Sequence, residues 1–431
     1  SGQNTNVMPR FGIAYQLNAN TVLRGGYGIF YDTIAVNRTP AIQTGFTAGT
    51  PIQSSLDNGL HFIATTANPF PAGLIQPLGA AGGLQTNLGQ SLTVYPTSRL
   101  QPYSQRWTFD VQRTFYKELL LDVSYVGNKA LHLGADRNLN ATPNQYLSTS
   151  PFRDNATINA LSATVNNPFF GLNSVFPQKI AVSDLLRPYP QFGDITETQP
   201  IGYSWYHALQ VRAEKRFSKG YMMGLSYTFS KNMDAISFLN AGDASVNRSI
   251  SGLDRPHRFN IQSIVELPFG RGRHFGTNMP KALDAIAGGW QVNTIFTYQS
   301  GAPQSFGNII FLGDLHNIPL PSGERSVNQW FNTGAGFVTA SSQQLASNIR
   351  TFPKYLAGVR GDGQTMWNAS LVKRFKYQER LGFECRFEGY DILNHPNFSD
   401  PNTTVTSSAF GTITSQAGLS REFQGALKFT F

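Results

Sequence analysis

The sequence has little charge, a single cysteine and no long apolar run. Charged residues make up only 14% of its 431 residues, and so low a charge argues against a disordered chain. The lone cysteine, Cys385, excludes an intrachain disulfide framework and a multi-cysteine metal cluster. Because no run of about 20 apolar residues is present, no transmembrane helix is predicted. If this chain spans a membrane, it must do so as a closed β-barrel.

The start of the chain and its net charge are also informative. The opening residues, SGQNTNVMPRF, have neither the basic nor the apolar region of a signal peptide. We expect either that a leader was removed or that the chain is a piece of something longer. The net charge of +9 would suit nucleic acid, but the Lys and Arg residues are scattered rather than clustered. Solvated or lumen-facing side chains are the favoured interpretation, and no nucleic-acid partner is expected.

Stretches of about ten residues with period-two alternation recur along the chain. One face of each stretch is apolar and rich in aromatic residues, and the opposite face is polar or charged, as in RWTFDVQRTF (106–115) and YMMGLSYTFSK (221–231). So many apolar faces have no companion helices to cover them, and lipid is the simplest cover. The predicted fold class is all-β, an antiparallel transmembrane β-barrel of the outer membrane. The predicted strands are 7–16, 20–32, 103–115, 118–129, 203–217, 220–231, 257–268, 289–300, 365–377, 380–394 and 418–431.

This count of eleven strands is odd, whereas single-chain bacterial barrels have even strand numbers. We therefore expect the C-terminal half of a barrel of about 22 strands, the size of plugged outer-membrane transporters. Residues 1–431 are interpreted as barrel throughout, without a signal peptide or a plug domain. A half-barrel with two open edges is not expected to fold alone in lipid.

The connections alternate between short and long, which is the pattern of outer-membrane barrels. Short turns lie at 16–21, 116–118, 217–221 and 377–380, and long loops at 34–100, 131–200, 232–254, 301–363 and 395–415. If the short turns are periplasmic, the long loops are extracellular and the C-terminus is periplasmic. This places the protein in the outer membrane of a Gram-negative cell.

One connection on the short-turn side is long, and it contains MPKALDAIAGG (279–289). Pro280 and Gly288 bracket a predicted short amphipathic helix there. The neighbouring Arg271, Arg273 and His274 could meet lipid headgroups or be solvated, and solvation is the favoured interpretation.

The last strand, REFQGALKFTF (421–431), alternates up to a terminal phenylalanine. Its apolar face is predicted to meet lipid, and Lys428 and Gln424 to line the lumen. A terminal aromatic residue on such a strand resembles the signal that barrels present to the insertion machinery. The residues predicted to carry this signal are Phe423, Leu427, Phe429 and Phe431.

No catalytic, cofactor or metal site is predicted. The charged sets Glu384/Arg386/Glu388 and Arg212/Glu214/Arg216 could suggest paired carboxylates, but a ladder of cross-strand ion pairs in the lumen is favoured. None of the seven histidines shows zinc spacing, and His207 is expected to be an interfacial residue with its polar atoms satisfied. The glycine-rich LRGGYG (23–28) has no helix after it to hold phosphate. No ligand-binding residue is assigned in the long loops.

Several of these strand phrases together resemble a known family. The likeness lies in PRFGIAYQLNANTVLRGGYGIFYD (9–32), QPYSQRWTFDVQRTFYKELLLDVSYVGNKALHL (101–133), YHALQVRAEKRFSKGYMMGLSYTFSKNMD (206–234), LDRPHRFNIQSIVELPFGRGRHFG (253–276), GGWQVNTIFTYQSGAP (288–303) and RFEGYDILNHPNF (386–398). They resemble the barrel of Oar-like TonB-dependent receptors, which are common in acidobacteria and typically carry an N-terminal carboxypeptidase-regulatory-like domain and a plug.

That resemblance implies import of an unknown nutrient, such as an oligosaccharide, a peptide or a chelate, energised through the TonB system. The chain departs from a complete member because no regulatory-like domain, plug or TonB-contacting box is recognised in it, so this chain alone is not expected to transport. The alternatives are a passive porin or a structural or adhesive barrel, which would have no plug. A secreted all-β enzyme or propeller would show a blade-length repeat, and none is found.

Overall fold

One continuous antiparallel sheet dominates the computed structural model of the protein. The structure describes residues 6–32, 45–57, 59–97, 100–116, 118–173, 175–377 and 381–431. Each of eleven strands pairs with the next one along the chain, which is the meander of a β-barrel wall. They are β1 (Arg10–Asn18), β2 (Thr21–Tyr31), β4 (Tyr103–Phe115), β5 (Leu119–Asn138), β8 (Ile195–Ser218), β9 (Tyr221–Ala235), β11 (His257–Glu266), β12 (Trp290–Gln299), β15 (Gln364–Tyr377), β16 (Leu381–Tyr390) and β17 (Glu422–Thr430).

Smaller elements decorate this wall. Two short strands extend the sheet to 13 strands, because β3 (Leu92–Val94) pairs parallel with β8 and β10 (Ser249–Ile250) pairs antiparallel with β9. Two separate pairs lie in the long loops: β6 (Thr164–Asn166) with β7 (Lys179–Ala181), and β13 (Pro303–Gln304) with β14 (Leu356–Arg360). The α-helices are α1 (Asn155–Ser162), α2 (Val182–Leu185) and α3 (Lys281–Ala287). None of the helices in the described residues is both long and apolar enough to cross a bilayer.

The predicted all-β class and the eleven strands of the wall are confirmed. The sheet does not close within the described residues, since β1 pairs only with β2 and β17 only with β16. Large apolar side chains stay exposed along one face, with Phe229 50% exposed and Phe387 54% exposed. A protein folded in water would bury such rings, so a lipid-facing wall explains their exposure.

The short turns at 16–21 and 217–221 lie where the sequence predicts them. The turns predicted at 116–118 and 377–380 include residues 117 and 378–380, which lie outside the described residues. Between β8 and β9 the turn consists of Lys219 (φ 52°) and Gly220 (φ 83°). Two successive positive φ values form the tight hairpin turn whose twist matches that of the strands. The predicted helix is also confirmed, because α3 follows Pro280 and ends before Gly288.

Two predicted boundaries are wrong by several residues, and four more differ by three or four: β1 begins at Arg10, β9 ends at Ala235, β16 ends at Tyr390 and β17 begins at Glu422. The strands placed at 118–129 and 203–217 extend to Asn138 and begin at Ile195, so part of the predicted loop 131–200 is strand. The paired extension runs from Ala135↔Gln199 to Asn138↔Thr196, beyond two register shifts at Leu133. Its residues are polar on both faces, so the alternation that reveals a lipid-facing strand is absent. The extension projects beyond the apolar band into the long-loop side.

Candidate functional site

A ladder of ion pairs crosses the polar face of the last strands. The Glu384 carboxylate accepts from Arg374 Nε at 2.7 Å and from Arg386 Nη2 at 2.6 Å. Arg386 Nη1 also reaches Glu388 Oε1 at 3.4 Å, and Gln424 on β17 donates to the other Glu388 oxygen. The predicted ladder is therefore present, and both carboxylates are engaged by arginines or amides. Ladders of this kind tie neighbouring strands together and give the wall a hydrophilic inner surface.

The second predicted charged set is only partly joined. Arg212 Nη2 donates to Glu214 Oε2 at 2.7 Å on β8, whereas Arg216 forms no ion pair within the described part of the chain. Across the sheet, Arg212 lies opposite Asp122, and Asp110 opposite Arg24. Charged residues thus line the polar face at both ends of the sheet.

Between these charged patches the polar face presents amides and hydroxyls. A groove of about 320 Å³ crosses β11, β12 and β15. Gln262, Asn293, Asn368 and Ser370 line it together with the apolar side chains of Met222, Ile264 and Ile295 and with Glu388. Asn293 Nδ2 donates to Ser370 Oγ at 3.1 Å. Amides and a hydroxyl set among apolar side chains suit a solute or polypeptide surface that combines hydrogen-bonding and apolar groups.

Two of the long loops pack together around an apolar core. Loops 301–363 and 395–415 share an apolar core, and rings meet at its centre: Phe306 lies 5.1 Å from Phe331 and 5.3 Å from Phe337 between centroids. Edge-on and offset contacts of this kind stabilise beyond area burial alone. The buried members are Phe306, Ile309, Ile318, Trp330, Phe331, Phe352, Leu356, Val359, Val405 and Ile413. We name these two loops the long-loop body.

A buried ion pair fastens the long-loop body to the preceding loop. Asp254 is 0% exposed, and its Oδ2 accepts from Arg360 Nη2 at 2.6 Å. The other carboxylate oxygen accepts from the backbone N–H of Asn232 at 2.6 Å. Beside it, burial lowers the pKa of the Arg255 guanidinium, whose Nη1 donates to Gly252 O at 3.1 Å. Because a buried charge is costly unless paired, Asp254 and Arg360 hold these loops in one arrangement.

The loop between β5 and β8 has its own polar clamp. Asn140 is fully buried, and its Nδ2 donates to the carbonyls of Tyr189, Phe192 and Gly193 at 2.8–3.2 Å. Its Oδ1 accepts from Tyr189 N at 2.7 Å. One side chain therefore ties together two points about 50 residues apart. An apolar residue there would remove the partner of three backbone groups, the Tyr189 N–H and the carbonyls of Phe192 and Gly193.

Two histidines pair with tyrosines on the apolar face. His207 Nδ1 lies 2.7 Å from the Tyr125 hydroxyl, and His257 Nδ1 lies 2.8 Å from the Tyr227 hydroxyl. Each imidazole also stacks on its tyrosine. Nδ1, one of the two ring nitrogens of His207, thus has a hydrogen-bond partner. No group of three metal-ligating side chains is found among the described residues.

Other singled-out residues take structural positions. LRGGYG (23–28) lies inside β2, where a Cβ on Gly25 would come 3.2 Å from Ile13, so close approach between strands explains its glycines. Cys385 is a free, half-buried thiol on the apolar register, opposite Leu427.

The closing strand places its predicted signal residues together. Phe423, Leu427 and Phe429 share one face of β17, and the Phe429 ring lies 5.0 Å from Phe383 on β16. Phe431 is fully exposed. Their role in insertion is not tested by this geometry and stays a prediction.

Sequence reasoning missed the long-loop body, the Asp254–Arg360 pair and the buried Lys373, whose ammonium donates to the carbonyls of Ile286 and Gly288. A usable signal for the body was the density of phenylalanines in these two loops. Lys373 shows no such signal, because it lies on the apolar register of β15 opposite Trp290.

Comparison with known proteins agrees with this architecture. Residues 1–424 match the family model described as an outer membrane beta barrel domain. No curated protein matches the sequence. Solved structures that resemble the chain include the outer membrane transporter YddB from Escherichia coli (12% identity, TM-score 0.46, 99% of this chain and 40% of that chain). Others are the FrpB iron transporter from Neisseria meningitidis (10%, 0.41, 98% and 39%) and the ferric-catecholate import receptor Fiu from E. coli K12 (9%, 0.39, 97% and 34%).

The chain thus spans 34–40% of the length of these three solved structures. The identities and TM-scores are too low for the transport functions in those names to be carried over. The family model, by contrast, covers nearly the whole chain, and its description agrees with the alternating strands and the exposed apolar face. The chain belongs to the outer membrane β-barrel domain family.

Proposed function

We propose that this chain is the lipid-embedded barrel part of a TonB-dependent receptor of the Oar-like type, which imports a nutrient through a plugged barrel. The observation that carries the proposal is the open wall of eleven strands, in which β1 and β17 have no second strand partner among the described residues. In lipid, each unpaired backbone N–H or C=O group at a strand edge costs roughly several kcal/mol. Further strands must therefore pair with these edges and complete the wall. A wall of about twice this size encloses the lumen of a plugged transporter.

The long-loop body would face the cell exterior, and the short turns and Phe431 the periplasm. In this orientation the packed body offers a defined surface for a first encounter with a nutrient. The groove along Gln262, Asn293, Asn368 and Ser370, which Ile264 and Ile295 also line, supports a solute with hydrogen-bonding and apolar groups, such as an oligosaccharide or a peptide, or a plug surface of similar mixed chemistry. A chelate remains the third candidate, and no enzymatic activity is proposed.

The partners follow from this function. Energy would come from the TonB system through a plug and N-terminal part, preceded in this type of receptor by a carboxypeptidase-regulatory-like domain. Phe423, Leu427, Phe429 and Phe431 would present the insertion signal to the barrel-assembly machinery. Outer-membrane lipid covers the apolar face.

Conductance of the native full-length protein in planar bilayers tests the proposal. A plugged transporter gives no steady current until the plug is displaced with denaturant. A passive porin, the alternative function that the same polar wall would serve, gives a steady current at once. Immediate, stable conductance would overturn the proposal in favour of the porin.

A further inference from the structure

The segment 267–289, which connects β11 to β12 on the short-turn side, is folded although it is a connection. Phe275 N donates to Pro268 O and Gly270 N to Phe275 O, both at 2.9 Å. The Asp284 carboxylate on α3 reaches back and accepts from Arg271 N at 2.7 Å. The segment is therefore a fixed knob at the end of the wall, which we call the short-side knob.

The short-side knob is attached to the apolar side of the wall. Lys373 and Trp290 are register partners on the lipid-facing register of β15 and β12. The Lys373 ammonium donates to the carbonyls of Ile286 at 3.0 Å and Gly288 at 2.6 Å, at the C-terminus of α3. The Trp290 indole donates to the same Ile286 carbonyl at 2.8 Å. Lys373 is only 4% exposed, so α3 ends against the surface that meets lipid.

The short-side knob also exposes large apolar side chains, for which water is an unfavourable environment. Ile286 is 72% exposed and Leu283, one helical turn earlier, is 51% exposed. Phe269 and Phe275 stack with centroids 5.5 Å apart and are also exposed. Two aliphatic residues on one helix face and a ring pair thus leave exposed apolar surface on the short-side knob, which we call its apolar edge.

Cations accompany this apolar edge. Arg271 and Lys281 are exposed, and neither has a carboxylate partner within the described ranges. Arg273 differs, because its Nη1 lies 2.8 Å from Glu266 Oε2. Asp284 is the only acidic residue in the segment, and its carboxylate is occupied by Arg271 N. The knob therefore presents unpaired positive charge beside apolar residues.

We propose that the short-side knob docks on the lipid leaflet that adjoins the short turns, with anionic phospholipid headgroups as its partner. Leu283, Ile286 and the ring pair enter the headgroup–acyl boundary, and Arg271 and Lys281 contact lipid phosphates. This is the arrangement of an interfacial amphipathic helix. The proposal departs from the solvation of Arg271 that the sequence favoured, because Lys373 holds the end of α3 on the lipid side. The proposal needs only a membrane-embedded wall and holds for a transporter or a porin.

A fluorescent label at Ile286 tests the docking. The native full-length protein carries C385A and I286C, is labelled with NBD, and is reconstituted in phosphatidylethanolamine vesicles with or without phosphatidylglycerol. A285C, which lies on another face of α3, is the matched control. We expect blue-shifted emission and strong quenching by headgroup-depth nitroxide lipids at position 286, and much weaker quenching at 285. L283C replaces I286C if the latter does not assemble, with heat-modifiable mobility as the check.

The charge part is tested in the same background with R271Q/K281Q. Each cation removed should lower the docked-to-undocked ratio roughly fivefold in vesicles with phosphatidylglycerol, and should change little without it. Equal, water-like emission at 286 and 285 would overturn the proposal. A label that is shielded yet not quenched by nitroxide lipid would also overturn it, because the partner would then be a protein surface. Quenching that does not depend on phosphatidylglycerol would refute the anionic headgroup as the partner.

Discussion

Replacement of Arg360 by methionine tests whether the buried ion pair holds the long loops together. The substitution keeps much of the side-chain volume but leaves Asp254, which is 0% exposed, with only the Asn232 N–H as a strong partner. Breaking a buried pair by removing one member typically costs about 3–5 kcal/mol. The loops can open while the strands of the wall stay folded. We therefore expect the lost free energy to appear as easier local opening of the long-loop body, with the barrel still folded.

Hydrogen exchange of the full-length protein in detergent measures this opening. Amides of 301–363 should exchange at least ~100-fold faster in R360M, since each 1.4 kcal/mol corresponds to about a tenfold change in the opening equilibrium. Amides of β4 and β5 should be unchanged. In D254N/R360M the buried charge is gone, so most of the protection should return.

R350M is the matched control, because Arg350 lies in the same loop but donates only to the carbonyls of Phe352 and Pro353 at 3.0 Å. It should cost about 1 kcal/mol, the loss of ordinary hydrogen bonds, and raise exchange by less than tenfold. Similar exchange in R360M and the wild type would refute the role given to this pair. Equal effects of R360M and R350M would show that packing, not charge, is lost.

Three further outcomes are expected. Asp154 caps the N-terminus of α1, and hydrogen bonds from the Thr157 side chain and backbone and from Ser148 lower its pKa to about 2. Protection of the α1 amides should therefore be complete above the unfolded pKa near 3.8 and be lost as pH falls through about 2. A protection factor that does not change across this range, or native protection in D154A at pH 7, would contradict the capping role. A Cβ on Gly127 would lie 2.1 Å from Trp107 Cε2, so G127A should displace the indole, change tryptophan fluorescence and lower barrel stability by about 1–3 kcal/mol; an unchanged spectrum and an unchanged urea midpoint would refute this. F431A should reduce the amount of assembled, heat-modifiable barrel in outer membranes while T430A should not, and equal assembly of both would remove Phe431 from the insertion signal.

The strands of the wall are predictable because a lipid-facing strand must alternate. One example is the alternation of Phe109 and Val111 with Asp110 and Gln112. This period-two pattern can be read from one strand alone, without knowing which strands pair with it. The extension of β5 and β8 was not predictable, since its residues, apart from Ala135, are polar on both faces and show no apolar alternation.

The candidate site was predictable only in part. The Glu384–Arg386–Glu388 ladder follows from charges spaced by two on one strand. Asp254 and Arg360 are 106 residues apart, and nothing local indicates that they meet. Lys373 contradicts the expectation that cations avoid the apolar register, and its reason is tertiary: the carbonyls at the end of α3 accept its protons.

The mass of the intact native polypeptide, extracted from detergent-resistant outer membranes, tests most directly whether this open sheet is half of a larger barrel. A mass far above 47.4 kDa is predicted, because eleven strands with two unpaired edges need further strands and a receptor needs a plug. A mass equal to that of this chain, in a heat-modifiable monomer, would contradict the half-barrel and the transporter together, and would leave a small closed barrel in their place.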